Sequence, residues 1–176
     1  SRAGIFVVPR RETGQAPINP VAGWADVGAD AGRSPDLVAQ GKPMPSVSLT
    51  EAERARLDAL HACRVLDTPP ELEFDDVVRI AARVCGVPVA LVSFVDADRQ
   101  WFKARVGLAA TETPREFAFC SHAIADDRLF LVPDALADVR FATNPLVLGD
   151  PHIRFYAGAP IVDAAGHRLG TVCVID

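Results

Sequence analysis

The stretch VPVALVSFVDADRQWFKARVG, residues 87–107, decides how this chain folds. Its first nine residues are largely β-branched and almost wholly apolar, the composition of a strand covered on both faces rather than of an edge. A central strand is therefore expected. DADR then supplies a turn, and turn chemistry accounts for Asp96, Asp98 and Arg99 without a paired-carboxylate site. QWFKARVG follows with alternation that places Phe102, Ala104 and Val106 on one side and Trp101, Lys103 and Arg105 on the other. The two segments read as a hairpin.

Upstream of this hairpin the pattern is helical. Thr50 followed three places later by Glu53 forms a capping box ahead of an Ala- and Leu-rich segment, which predicts a helix over residues 51–66. Ala52, Ala55, Ala59, Cys63 and Leu66 recur at threes and fours, a stripe of small residues suited to a close helix neighbour, from this domain or a second copy. A second helix is expected to start at Thr68 as N-cap, with Pro69 at its first position and Glu71 as reciprocal cap. Its face would be Phe74, Val77, Val78, Ala81 and Val84, and Gly86 and Pro88 would end it.

Downstream, LFLVP is a short strand candidate. Residues 134–151 carry Pro and Gly that forbid a long regular element, while Phe141, Leu146 and Val147 suggest that the segment packs down as a wall or lid. IRFYAGAPIV, a turn at DAAG and HRLGTVCVID make a closing hairpin. Gly158 and Gly170 inside its strands imply close approach of another group. Helices, hairpin, irregular insertion and hairpin give an α+β layout, an antiparallel sheet with helices on its faces.

The chain of 176 residues, 49% of them hydrophobic, suits one core with an extension. Residues 1–47 read as a linker or N-terminal extension, in which GIFVV is a candidate edge strand, and residues 48–176 as the domain. The start at Ser1 and the stop directly after LGTVCVID suggest a fragment of a longer protein, cut before a last helix. A net charge of −5 without a run of Lys or Arg argues against nucleic acid as partner. Apolar runs too short for a membrane span make no membrane and a cytoplasmic location the expectation. No nucleotide-binding glycine motif occurs, and the four cysteines, Cys63, Cys85, Cys120 and Cys173, are widely spaced and expected to be reduced.

FCSHAI holds the densest chemistry. Cys120 with His122 would be a thiolate and its base only if the backbone is irregular, because residues two apart point to opposite sides of a helical turn. Otherwise Cys120 is a small buried residue and His122 a polar helix-start residue. Arg154 and Tyr156 are read equally as groups that clamp a ligand and as strand scaffold. No metal is expected, since His152 and His167 lack ligand spacing.

The blocks VLDTPPELEFDDVVRIAARVCGVPVALVSFVDADRQWFKARVGL, TPREFAFCSHAI, VPDALADVRFATNPLV and IRFYAGAPIVDAAGHRLGTVCVID resemble the GAF domains of bacterial signalling proteins, of sensor histidine kinase or diguanylate cyclase type. The resemblance implies six antiparallel strands, helices on one side, and a ligand pocket on the other, walled by the insertion. Pocket candidates are Phe119, Cys120, His122, Asp134, Phe141, Arg154 and Tyr156, and dimer-helix candidates are Ala52, Ala55, Ala59 and Cys63. Such domains sense or dimerise rather than catalyse. A small-molecule ligand, a homodimer and a downstream kinase or cyclase domain in the same chain are the implied partners, with cofactor unknown. The Asn-Lys-Phe-Asp-Glu set of cyclic-nucleotide-binding members is absent, and Ser121 separates the Cys-His pair of bilin-binding members. The enzyme alternative is a thiol enzyme like the free methionine-R-sulfoxide reductases, although DPHIRFYAG holds no cysteine where a partner thiol is expected.

Overall fold

A computed structural model describes residues 50–176. The expectations for residues 1–47, including the GIFVV strand, lie outside the described residues. Six strands form one antiparallel sheet: β1 (Val89–Val95), β2 (Arg99–Val106), β3 (Glu112–Pro114), β4 (Phe130–Val132), β5 (Tyr156–Val162) and β6 (Arg168–Ile175). Their order is β3-β2-β1-β6-β5-β4, so β1 lies inside the sheet, and every one of its residues is buried. The fold is α+β with the GAF arrangement.

Alternation along β1 feeds two cores. Ala90, Val92 and Phe94 face the helices α1 (Glu51–Ala62) and α2 (Leu72–Cys85), together with Trp101, Leu169 and Val174. Leu91 and Val95 face the other way, into a core with Phe102, Phe119, Phe141, Leu146, Val147 and Tyr156. That second core holds α3 (Cys120–Ala123), β4 and the insertion with its single-turn α4 (Pro145–Leu148). The insertion packs down as its Phe141, Leu146 and Val147 predicted, all three buried.

The β2 alternation expected above is corrected by a bulge. Val92 pairs with Ala104 and Ser93 with Phe102, so Lys103 is the extra residue and the strand changes phase there. Trp101, Ala104 and Val106 therefore join the helix-side core, while Phe102 faces the other. The Lys103 side chain is fully buried. Its ammonium donates to Thr68 Oγ1 at 2.6 Å, Pro69 O at 2.8 Å and Glu71 Oε1 at 2.5 Å. This displaces the predicted cap, because Thr68 is engaged by Lys103 and by Val65 O. The helix starts at Leu72, with Glu71 preceding it and no side-chain cap.

The first helix is four residues shorter than predicted. Cys63 caps it with its N–H on Ala59 and Leu60 carbonyls, and Arg64 turns left-handed with φ 51°. Its buried face is Arg56, Leu57 and Leu60, which leaves Ala52, Ala55 and Cys63 exposed and Ala59 half-buried. On α2, Val78 is buried and Phe74 and Ala81 are half-buried. Val77 and Val84 lie about 100° or more round the helix from Val78 and are exposed. Gly86 ends α2 in the left-handed conformation, as expected.

The capping box is half realised. Thr50 Oγ1 accepts from the Glu53 N–H at 3.2 Å, but the Glu53 carboxylate turns to Arg56 at 2.8 Å and Arg115 at 2.7 Å. Arg56 in turn donates to Val95 O, and Arg115 to Asp96 O, so one carboxylate organises two arginines that hold the end of β1. The Arg56 hydrogen bond lowers the Glu53 pKa first; burial opposes it, Arg115 adds to it, and the value falls from 4.5 to about 2. A depressed carboxylate stabilises the fold above its unfolded pKa, and that contribution is lost as pH falls from about 4.5 towards 2. Glu53→Gln is expected to cost about 1–2 kcal/mol at neutral pH and to flatten the acid limb of stability, measured by urea unfolding across that range.

Candidate functional site

Three neighbouring strands turn small polar side chains to the face opposite the helices. Ser93 of β1 stands opposite Thr171 of β6, and Cys173 follows two residues on, opposite Leu91 and Gly158. Period-two alternation puts Thr171 and Cys173 on one face. Tyr156 of β5 lies flat over Gly158, where a Cβ would stand 2.3 Å from the phenol oxygen. Phe119 and Cys120, at the start of α3, close over these strands.

These groups converge on one sulfur. Cys120 Sγ accepts from Thr171 Oγ1 at 3.0 Å, Tyr156 Oη at 3.1 Å and Ser93 Oγ at 3.3 Å, and lies 3.8 Å from Cys173 Sγ. All five residues are almost completely buried. Burial pushes the Cys120 thiol up, but the donors, Cys173 foremost, outweigh it and bring the pKa below the ordinary thiol value. Cys173 moves up, through its hydrogen bond to Cys120 and through burial. The same Cys120–Cys173 contact thus moves the two thiols in opposite directions. Tyr156 is held well above 10 by burial and by the neighbouring sulfurs, so its phenol remains a donor.

Beside Cys120 lies a cavity of about 20 Å³, lined among others by Gln100, Phe102, Thr113, Phe119, Cys120 and Tyr156, with Leu146 from the insertion and Ile153 just after it. That volume admits one water-sized molecule. Gln100 is 4% exposed, and its Oε1 has no hydrogen-bond partner among the described residues. A buried amide oxygen without a donor costs stability, which singles out Gln100 among the residues that line the cavity.

Of the seven pocket candidates, Phe119, Cys120 and Tyr156 line this cavity. Phe141 backs it, stacked on Phe119 with centroids 4.0 Å apart. The other three lie elsewhere. His122 is exposed and packs edge-on against Phe141 at 4.9 Å, on the far side of the turn from Cys120. Its pKa is lowered, first by partial burial and then by Arg140. Asp134 is exposed and accepts from the Leu136 N–H. Arg154 is exposed, and its Nη1 donates to the carbonyls of Val147, His152 and Ile153, which buckles the insertion to the start of β5. Ser93, Gln100, Thr113, Thr171 and Cys173 were missed. The signal for Ser93, Thr171 and Cys173 was a small polar or thiol side chain at period two inside otherwise apolar strands. Among the described residues no three His, Cys, Asp or Glu side chains gather as metal ligands, and no helix is long and apolar enough to cross a membrane.

The domain is thus an α+β antiparallel sheet with helices on one face and, on the other, a small and mostly apolar cavity under an insertion. The GAF domain family model matches residues 69–176, and the chain belongs to that family. A cyclic di-GMP phosphodiesterase of Pseudomonas aeruginosa is 42% identical over 126 residues, 72% of this chain and 22% of that protein, so the chain spans about a fifth of this curated relative. Among solved structures, the GAF domain of an Acinetobacter phosphoenolpyruvate-protein phosphotransferase is 15% identical with a TM-score of 0.49, covering 73% of this chain and 79% of that one. A free methionine-R-sulfoxide reductase from Neisseria meningitidis is 17% identical with a TM-score of 0.48, covering 80% and 81%.

Proposed function

We propose that this domain is the regulatory module of a longer signalling protein, which senses a small molecule in the cavity beside Cys120, dimerises through α1, and does not itself catalyse. The unpartnered Gln100 oxygen carries the ligand part of this reading, because a buried acceptor facing a cavity needs a donor from a guest. Family membership supports the regulatory role. The relative's name supports an output in cyclic di-GMP turnover, by a phosphodiesterase or a cyclase, ahead of a histidine kinase.

Native mass spectrometry of the protein against its denatured mass tests ligand and dimer together. A mass released by denaturation supports a held ligand, and twice the chain mass supports the dimer. A bare single chain at high concentration overturns both. Ala55 is exposed on α1, so Ala55→Arg is expected to leave stability within about 0.5 kcal/mol. It should shift the dimer to monomer in sedimentation, and an unchanged dimer would remove α1 as the contact. The output is tested by assaying the full-length protein for cyclic di-GMP hydrolysis and synthesis; neither activity, with autophosphorylation instead, would assign a kinase.

A further inference from the structure

We propose that Cys120 and Cys173 are a peroxide-oxidisable dithiol, in which a small hydroperoxide entering the cavity converts Cys120 to a sulfenic acid that Cys173 resolves to a disulfide. The inference deepens the sensor reading and rests on its premise that the cavity admits small molecules.

Three observations carry it. The two sulfurs are 3.8 Å apart across 53 residues of sequence, and closing to the disulfide length of about 2.05 Å needs a movement of less than 2 Å. Three hydroxyls and one thiol surround Cys120 Sγ within 3.8 Å; Ser93 and Thr171 are also 3.2 Å from each other, and even with one donating to the other, two hydroxyls and the thiol remain for the sulfur, a set that suits a thiolate, the nucleophilic form. The cavity that Cys120 lines is also lined by Thr113 and by Gln100, whose Oε1 has no partner among the described residues and is an acceptor for the O–H of a hydroperoxide. Its size favours the smallest oxidants: with room for one water-sized molecule, hydrogen peroxide enters after a slight widening, whereas an amino-acid sulfoxide would require the insertion to move away.

The chemistry balances without another reactant. The Cys120 thiolate attacks one peroxide oxygen; the S–O bond forms, the O–O bond breaks, and the departing hydroxide takes up the proton that Cys120 lost on ionising, leaving as water. Cys173 sulfur then attacks Cys120 sulfur. The S–S bond forms, the S–O bond breaks, and the Cys173 proton leaves with the hydroxyl as a second water. Sulfur is oxidised from two thiols to one disulfide while one peroxide is reduced to two waters. The disulfide would tie α3 to the centre of β6 and remove the acceptor that Ser93, Thr171 and Tyr156 now share, which couples oxidation to the geometry of the sheet.

The test uses the protein with exposed Cys63 and Cys85 replaced by serine. After hydrogen peroxide, peptide mapping is expected to find Cys120 linked to Cys173 and both thiols lost together, with the link reversed by dithiothreitol. In Cys173→Ser, a sulfenic-acid probe should label Cys120. Native-state labelling of the untreated protein by methyl methanethiosulfonate reports access separately. Labelling of Cys120 without disulfide formation overturns the dithiol and leaves the ligand reading standing. Neither label nor disulfide likewise overturns the dithiol, and the ligand reading is then decided by the native mass alone. The disulfide mapping leaves Cys120 and Cys173 unchanged and replaces only exposed cysteines, so a misfolded core mutant does not blunt the result.

Discussion

Gly170→Ala is expected to destabilise the domain by about 4 kcal/mol or to prevent its folding, which thermal and urea unfolding would read as a collapse of the main transition. At Gly170 the central strands β1 and β6 run so close that an added Cβ would lie 1.9 Å from the Ser93 carbonyl oxygen and 2.8 Å from Phe94 Cα. Both obstacles are backbone, and neither has a rotamer into which it can retreat. Relief requires β1 and β6 to part where Phe94 faces Gly170, beside the Ser93–Thr171 pair and at the junction of both cores. Overpacking a well-packed core usually costs about 1–3 kcal/mol, and a backbone collision between paired inner strands lies above that range. A stability within 1 kcal/mol of wild type would mean that the strands are further apart than described here.

The same glycine marks how far sequence reasoning reached. Gly158 and Gly170 announced close approach, and both approaches exist, but the intruders, a phenol ring and a carbonyl from another strand, could not be named from local pattern. The sheet was legible for a related reason. A nine-residue apolar run with β-branched residues has few places to go except the middle of a sheet, and its neighbours' alternation follows from pairing with it. Where alternation failed, at Lys103, the cause is a bulge, and the cationic side chain it turns inward meets acceptors more than thirty residues away, which no window along the chain contains. Helix ends failed for the same reason, since Thr68 was a sound cap until Lys103 claimed its hydroxyl.

The candidate site divided along chemical lines. Motif proximity raised Cys120 with His122 as a pair only for an irregular backbone, and the turn sends them apart, as spacing of two predicts. The partner that geometry supplies, Cys173, is 53 residues away on β6 and carried no motif at all. Arg154 reads from the sequence as ligand clamp and strand scaffold alike, and Asp134 is a pocket candidate through the family resemblance. In the fold they satisfy backbone groups of the insertion, a demand that any irregular segment packed against a core must meet.

Gly158→Ala is expected to cost about 2–3 kcal/mol and to disturb Cys120 chemistry at the same time. The new methyl would stand 2.3 Å from the Tyr156 oxygen and 2.8 Å from Cζ. A tyrosine tip at the surface would swing aside, but this ring is fully buried and packed by Phe119 at 5.3 Å and Phe130 at 6.0 Å. The strain therefore falls on the ring's seat and on the hydrogen bond to Cys120. Removing a donor from a sulfur raises its pKa, so less Cys120 is ionised at neutral pH, and the pH at which peroxide oxidation becomes half-maximal should move upwards. A double-mutant cycle isolates the contact. Tyr156→Ala alone should cost about 3–5 kcal/mol, and adding Gly158→Ala to it should cost at least about 1 kcal/mol less than Gly158→Ala in the wild-type protein. Additivity within about 0.5 kcal/mol would show that Gly158 is required by the strand rather than by the ring, and the glycine would then have no part in shaping the thiol site.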